Sequence, residues 1–316
     1  MQKRVKVGYF HFVLHRLQAF AYLCAEKYIS TMQLIPIERR SGLTRDEFIE
    51  NYLKPKRPVV FTDLAKDWPA MQKWTFEYLK QHHGHLEVPV VGPDFHKPGP
   101  YYMKSHITMK FGDYLDLIQK GPTEYRVFLW NVIDHARELV NDVSNPTICD
   151  GWVDKYPFMF FGGAGAVTSL HYDIDCSNVF HTHFWTKKHI VLFDQQQSPF
   201  LYQHPYTVQS HVNPLKPDYE KYPAIKKAVG HETFLTHGET LFIPALLWHY
   251  IVYVDGGYSI SLRSRDSVLT QAKGLLNIAR HFVVDKGMNA VMGPDWKKWK
   301  EEQAAKRAAE AMADHN

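Results

Sequence analysis

Hydrophobic and polar positions along the chain change rhythm near Phe158. Downstream of it, short apolar or β-branched runs alternate with turn residues. That pattern predicts strands over 158–161, 167–171, 179–183, 189–193, 232–235, 240–243, 249–254 and 258–263. Eight short strands predict a mainly β fold, a sandwich or barrel of the jelly-roll kind. Upstream the rhythm is mixed. Thr44 and Glu47 have the spacing of a capping box, which starts a helix running to about Leu53, and Pro55 and Pro58 stop it. Strands follow over 58–61 and 86–91, helices over 74–81 and 111–119, a Pro/Gly loop over 92–102 and an extended piece over 128–132. After Asp266 helical spacing returns over 269–284, and the tail from Trp296 is rich in Lys, Glu and Ala. We therefore divide the chain into an extension over 1–31, a helix and strand region over 32–157 packing on the barrel, a β core over 158–265 and C-terminal helices over 266–316.

The first residues mix basic and aromatic side chains in a way that superficially resembles a signal peptide. His11, His15, Arg16 and Gln18 interrupt every apolar run well short of the ~20 residues needed to span a bilayer. We read an amphipathic helix or an extension there, with a better-organised sequence beginning at Met32. Thirty-seven basic against 33 acidic residues leave a net charge of +4 without a dominant basic block, so charge does not point to nucleic acid and does not exclude it. Cys24, Cys149 and Cys176 are widely spaced and form no paired knuckle, which fits a reducing, cytoplasmic setting and no membrane.

Candidate chemistry starts from three His-x-Asp/Glu triplets, at His85–Glu87, His237–Glu239 and His171–Asp173. The first follows the end of a predicted helix and suits a solvated surface; the second straddles Gly238 and suits a hairpin turn. His171 closes a predicted strand, and if the segment remains extended to Asp173, these residues two apart share a face and can reach one ion. His249, after Pro244 in GETLFIPALLWHY, supplies a histidine on a second strand. Two histidines and one carboxylate on one face suit Fe(II) with positions left open for a co-substrate and oxygen. A 2-oxoglutarate co-substrate would need a cation and a hydroxyl for its far carboxylate. Thr168 offers the hydroxyl, and Lys188 in TKKHIVLF offers the cation, unless it is a snorkelling surface lysine. Asp175 shares the face of Asp173 if the strand continues, and we expect it to bend away.

The motifs TSLHYD, TKKHIVLF and GETLFIPALLWH together resemble the JmjC or cupin-like Fe(II)/2-oxoglutarate oxygenases. With the RPVVF run from Arg57 and DWPA from Asp67, the chain is most similar to the branch containing the asparaginyl hydroxylase that inhibits hypoxia-inducible factor. The resemblance implies a double-stranded β-helix, iron held by His171, Asp173 and His249, and the 2-oxoglutarate carboxylate held by Thr168 and Lys188, with Lys187 as a fallback. It also implies hydroxylation of a protein side chain or other polar substrate, with release of succinate and CO2, and a homodimer through the C-terminal helices. Three departures stand out. Asn178 matches the branch's asparagine only approximately, Phe128 stands in place of a tyrosine, and Arg263 stands where that branch has an asparagine near the iron. Arg263 replaces Lys188 as anchor, binds an acidic group of the substrate, or points outward to a surface pair. Two other readings follow: a cupin-like metal-binding protein without turnover, and a cupin enzyme acting on a small molecule without 2-oxoglutarate. His181 and His183 share a face and are expected to line the pocket, while Tyr202, Tyr206, Tyr219 and Tyr222 sit in an insertion suited to substrate contacts or to its own packing.

Overall fold

All eight strands expected beyond residue 158 form, and they fall into two hydrogen-bonded sheets in a computed structural model that describes residues 31–95, 104–155 and 157–314. The extension over 1–31 lies outside the described residues except for Thr31, as does much of the 92–102 loop. Strands β1 (Gln33–Pro36), β2 (Arg39–Arg40), β3 (Val59–Phe61), β4 (Glu87–Val91), β5 (Ile107–Lys110) and β6 (Arg126–Asn131) come from the N-terminal half. The core adds β7 (Phe158–Gly162), β8 (Val167–His171), β9 (Asn178–Phe184), β10 (Lys188–Phe193), β11 (Val229–Leu235), β12 (Thr240–Ile243), β13 (Trp248–Tyr253) and β14 (Gly257–Ser264). One sheet runs β1-β11-β10-β13-β8; the other runs β2-β3-β12-β9-β14-β7-β6-β4-β5. This is a mainly β, jelly-roll architecture with flanking helices. The division at 157 cuts through one sheet, because β6 pairs with β7.

Alternation explains why β9 and β14, buried at every residue, carry both core and polar side chains. Their outward faces place Phe180, Phe184, Tyr258, Ile260 and Leu262 in an aromatic core, against Phe48, Trp74 and Phe111 from the N-terminal half. Their inward faces carry Val179, His181, His183, Ser259, Ser261 and Arg263, which lie side by side on one face of the sheet in register His181↔Ser261 and Val179↔Arg263. The interior is plugged by Ile190, Leu192, Leu235, Leu241, Ile243 and Ile251. The capping box at Thr44 and Glu47 forms as expected; its helix Arg45–Phe48 continues in wider π-helical turns over Ile49–Leu53. The helix expected over 74–81 begins later, at Phe76, because Thr75 caps it and Trp74 ends the preceding turn. The C-terminal region holds helices Val268–Ala279, Lys286–Met292 and Pro294–Ala313, and the last of these buries Ala304 and Ala308 against the insertion after β10.

Candidate metal centre

β8 and β13 lie side by side with His171 and His249 as register partners. His171 Nδ1 donates to the Ser169 carbonyl at 2.7 Å and His249 Nδ1 donates to the Leu247 carbonyl at 3.2 Å. Because a carbonyl can only accept, each ring's proton sits on Nδ1 and Nε2 carries the lone pair that can bind a cation. Asp173 Oδ1 lies 3.9 Å from His171 Nε2 and 4.0 Å from His249 Nε2, and these donor atoms form one group in which all lie within 4.8 Å of one another. Burial and the neighbouring His249 push His171 down to about 3, and burial lowers His249 as well. Burial alone would raise Asp173, but the Arg263 guanidinium and both histidines outweigh it and hold the carboxyl below its usual range. Two neutral imidazoles and an ionised carboxylate are the donor set an octahedral divalent cation takes on one face, so the residues fit iron.

Arg263 faces inward and is 7% exposed, which removes the outward surface-pair reading. Its Nη1 donates to Asp173 Oδ2 at 2.8 Å, to Ser177 Oγ at 2.8 Å and to Asp175 Oδ1 at 3.2 Å. The arginine thus occupies the carboxylate oxygen that faces away from the histidines and leaves Oδ1 toward them. It is a clamp on Asp173, not a free cation for a co-substrate. Asp175 turns aside in the tight 173–176 turn, where Cys176 takes φ +54°, and it is not part of the three-donor group.

Thr168 and His171 are three residues apart, so an uninterrupted strand would point them to opposite faces. The pairing skips: His249 faces His171, but Ile251 faces Thr168, so β8 carries one residue more than β13. This bulge turns Thr168 into the same cavity as His171. Behind it, Arg126 on β6 is 2% exposed and donates Nη1 to Thr168 Oγ1 at 3.0 Å, which leaves the hydroxyl proton to be donated elsewhere.

Lys188 is 1% exposed and lines the cavity, so the snorkelling reading fails. Its Nζ donates to Ser259 Oγ at 2.6 Å, lies 3.3 Å from His181 Nε2 and sits 4.2 Å from the Tyr253 ring centroid. Among the described residues no carboxylate is paired with it, and burial drives its proton affinity well below the ordinary lysine value. A buried ammonium without a counter-ion is costly, so the group is held toward its neutral amine and suits an entering anion that would let it take up a proton. Phe128, Phe160, Ile243 and Ile251 supply apolar walls.

Asn178 is the residue the structure withholds from the site. Its Oδ1 accepts the Ala245 N–H at 2.9 Å, bracing the turn before β13, and it does not line the cavity. It falls on the outward phase of β9, opposite to Val179 and His181. Sequence reasoning missed Arg126, Tyr253 and Ser259 as site residues. Ser259 was visible as the same-face partner of Arg263, whereas Arg126 gave only the weak signal of a charge heading an apolar run. Tyr202 is buried and packs edge-on to Tyr222, with Tyr219 alongside, so those tyrosines pack the insertion; Tyr206 stays exposed beside Trp296.

The family profile described as a cupin-like domain matches residues 44–264. The chain is 27% identical over 228 residues to Lysine-specific demethylase 8 of Xenopus tropicalis, covering 68% of this chain and 50% of that protein. It is 28% identical over 232 residues to Lysine-specific demethylase JMJ30 of Arabidopsis thaliana, covering 71% of this chain and 54% of that protein. It is 26% identical over 257 residues to tRNA wybutosine-synthesizing protein 5 of Homo sapiens, covering 73% and 78%. The chain spans about half the length of the two demethylases. With a jelly roll whose inward face gathers His171, Asp173 and His249, and a profile that spans all of the core strands, the chain belongs to the cupin-like domain family.

Proposed function

We propose that the protein is an Fe(II)- and 2-oxoglutarate-dependent oxygenase that hydroxylates a protein side chain or another polar substrate. The observation that carries this reading is one cavity lined by both a three-donor group and a buried lysine that has no acidic partner among the described residues. Fe(II) supplies oxygen activation when bound, and His171, Asp173 and His249 would hold it. Arg263 keeps Asp173 ionised and fixes which oxygen it presents. Lys188 and Ser259, with the Thr168 hydroxyl set by Arg126, would receive the far carboxylate of 2-oxoglutarate; this assigns the anchor to Lys188 instead of Arg263. The apolar walls exclude water and strengthen that pairing. The reaction balances as substrate C–H, O2 and 2-oxoglutarate giving substrate C–OH, succinate and CO2.

A protein side chain is the substrate class we favour, since two of the relatives are named as lysine-specific demethylases; an RNA base is the competing outcome, as another is named for tRNA wybutosine synthesis. The narrower likeness to the asparaginyl hydroxylase branch rests on the 57–61 and 67–70 runs and not on these relatives. A cytoplasmic setting is supported by free, buried Cys149 and Cys176, and no helix among the described residues is long and apolar enough to cross a membrane. A homodimer through the C-terminal helices is supported by the exposure of Leu269 (82%), Leu275 (70%), Val283 (73%) and Val291 (84%). The test is succinate release from 2-oxoglutarate that needs Fe(II) and disappears in Asp173→Ala. Absence of both turnover and 2-oxoglutarate binding in the wild-type chain refutes the proposal.

A further inference from the structure

We propose that His204, His211 and Glu301 form a second metal site, one that takes zinc and pins the terminal helix to the insertion between β10 and β11. Their ligand atoms all lie within 4.8 Å of one another, the same convergence that defines the first group. The two imidazole rings have centroids 4.2 Å apart and are tilted by 56°, so their nitrogens converge without stacking. Nothing in the oxygenase reading uses these side chains.

The site is built on fixed backbone. His204 N–H donates to the Gln209 carbonyl at 3.0 Å, and the Thr207 hydroxyl donates to the His204 carbonyl at 3.0 Å. Tyr206 takes φ +62° to close this turn, and the Val212 N–H donates to Ser210 Oγ at 3.1 Å just beyond His211. Glu301 arrives from the helix Pro294–Ala313, which is itself tied down where Trp296 Nε1 and Lys300 Nζ both donate to Asp285 Oδ1, at 2.9 and 2.5 Å. His204 is 5% exposed, which fixes its ring where the three donors converge. Two imidazoles and one carboxylate are a common zinc donor set. The nearest competing cation is Lys297, which sits 3.9 Å from Glu301 Oε1 and would be displaced, whereas Lys300 is already neutralised by Asp285.

The placement gives the site a consequence. The same insertion is fastened to β8 on either side of His171, by the Ser210 N–H to the Leu170 carbonyl at 2.9 Å and the Tyr172 N–H to the Val208 carbonyl at 3.1 Å. A zinc ion joining this insertion to the terminal helix would therefore brace the strand that carries His171.

The test is calorimetric titration of zinc into metal-stripped full-length protein, using the wild type, Asp173→Ala, Glu301→Gln and the double variant. Glu301→Gln is nearly isosteric at a part-exposed helix position, and far-UV circular dichroism verifies that it folds. Two equivalents are expected in the wild type, one in each single variant and none in the double variant. Zinc at a hundredfold excess over Kd should raise the unfolding midpoint of Asp173→Ala by about 5 °C, and that rise should vanish in the double variant. A wild-type chain that takes one equivalent, lost in Asp173→Ala, overturns the proposal, as does wild-type stoichiometry and affinity in Glu301→Gln.

Discussion

Replacing Lys188 by methionine separates binding from folding more sharply than any other change at this site. The lysine touches Ser259 Oγ at 2.6 Å and His181 Nε2 at 3.3 Å, and packs on Tyr253, but it bonds none of the three metal-donor side chains. Methionine keeps the unbranched apolar stem, one atom shorter, and removes the amine that a bound carboxylate would charge. A carboxylate left unpaired in a dry pocket costs ~2–5 kcal/mol, so the Kd for 2-oxoglutarate should rise by roughly 30- to 4000-fold. Folding should barely respond. Losing hydrogen bonds worth ~1 kcal/mol each is offset by no longer burying an amine. We expect the unfolding midpoint to stay within about 3 °C of the wild type and Mn(II) affinity to stay within about threefold. The pH dependence has a definite sign. His181, His183 and Tyr253 face the amine, and burial lowers its proton affinity well below the ordinary lysine value. Between that lowered value and about 10.4 the unfolded chain holds a proton that the native chain lacks, so the stability contributed by this residue rises with pH across the window. The Lys188→Met variant cannot show that slope. A bound carboxylate restores the ammonium, so binding takes up a proton and wild-type affinity for 2-oxoglutarate falls as pH rises through the same window. Calorimetry with Mn(II)-loaded protein reads both effects. If Lys188→Met binds 2-oxoglutarate normally while Arg263→Ala does not, the anchor has been misassigned.

Three further outcomes are expected. Arg263→Lys removes the 2.8 Å clamp geometry on Asp173 Oδ2 and should weaken Mn(II) binding about 10- to 100-fold, read by titration with electron paramagnetic resonance; unchanged affinity would show that the clamp is dispensable. Gly274→Ala brings a Cβ to 2.4 Å from the Asp175 carbonyl, where the helix Val268–Ala279 packs on the turn after Asp173, so it should cost ~1–3 kcal/mol in thermal or urea unfolding. If the proposed dimer forms through these helices, Leu275→Arg combined with Val283→Arg, at positions 70% and 73% exposed, should convert it to a folded monomer by light scattering; a wild type that is already monomeric refutes that arrangement.

Local pattern was enough for much of this protein. Alternation and turn chemistry place every core strand to within a few residues, because each strand's inward and outward faces carry their own side-chain signature. The spacing of His171 and Asp173 likewise marks them as a candidate pair, although β8 ends at His171 and the turn and Arg263 set where Asp173 points. The remaining features depend on register and on distant contacts. Period-two reasoning puts Thr168 and His171 on opposite faces, and only the bulge against β13 brings them together. The direction of Arg263 was undecided until β14 met β9 and Asp173 lay within reach, and Asn178 lost its proposed role to a turn 67 residues away. Arg126 and the trio of His204, His211 and Glu301 give almost no local signal, since their partners come from separate elements that folding alone draws together. What a residue can do was written in the sequence; which partner it meets was decided by strand register and by the docking of the terminal helix.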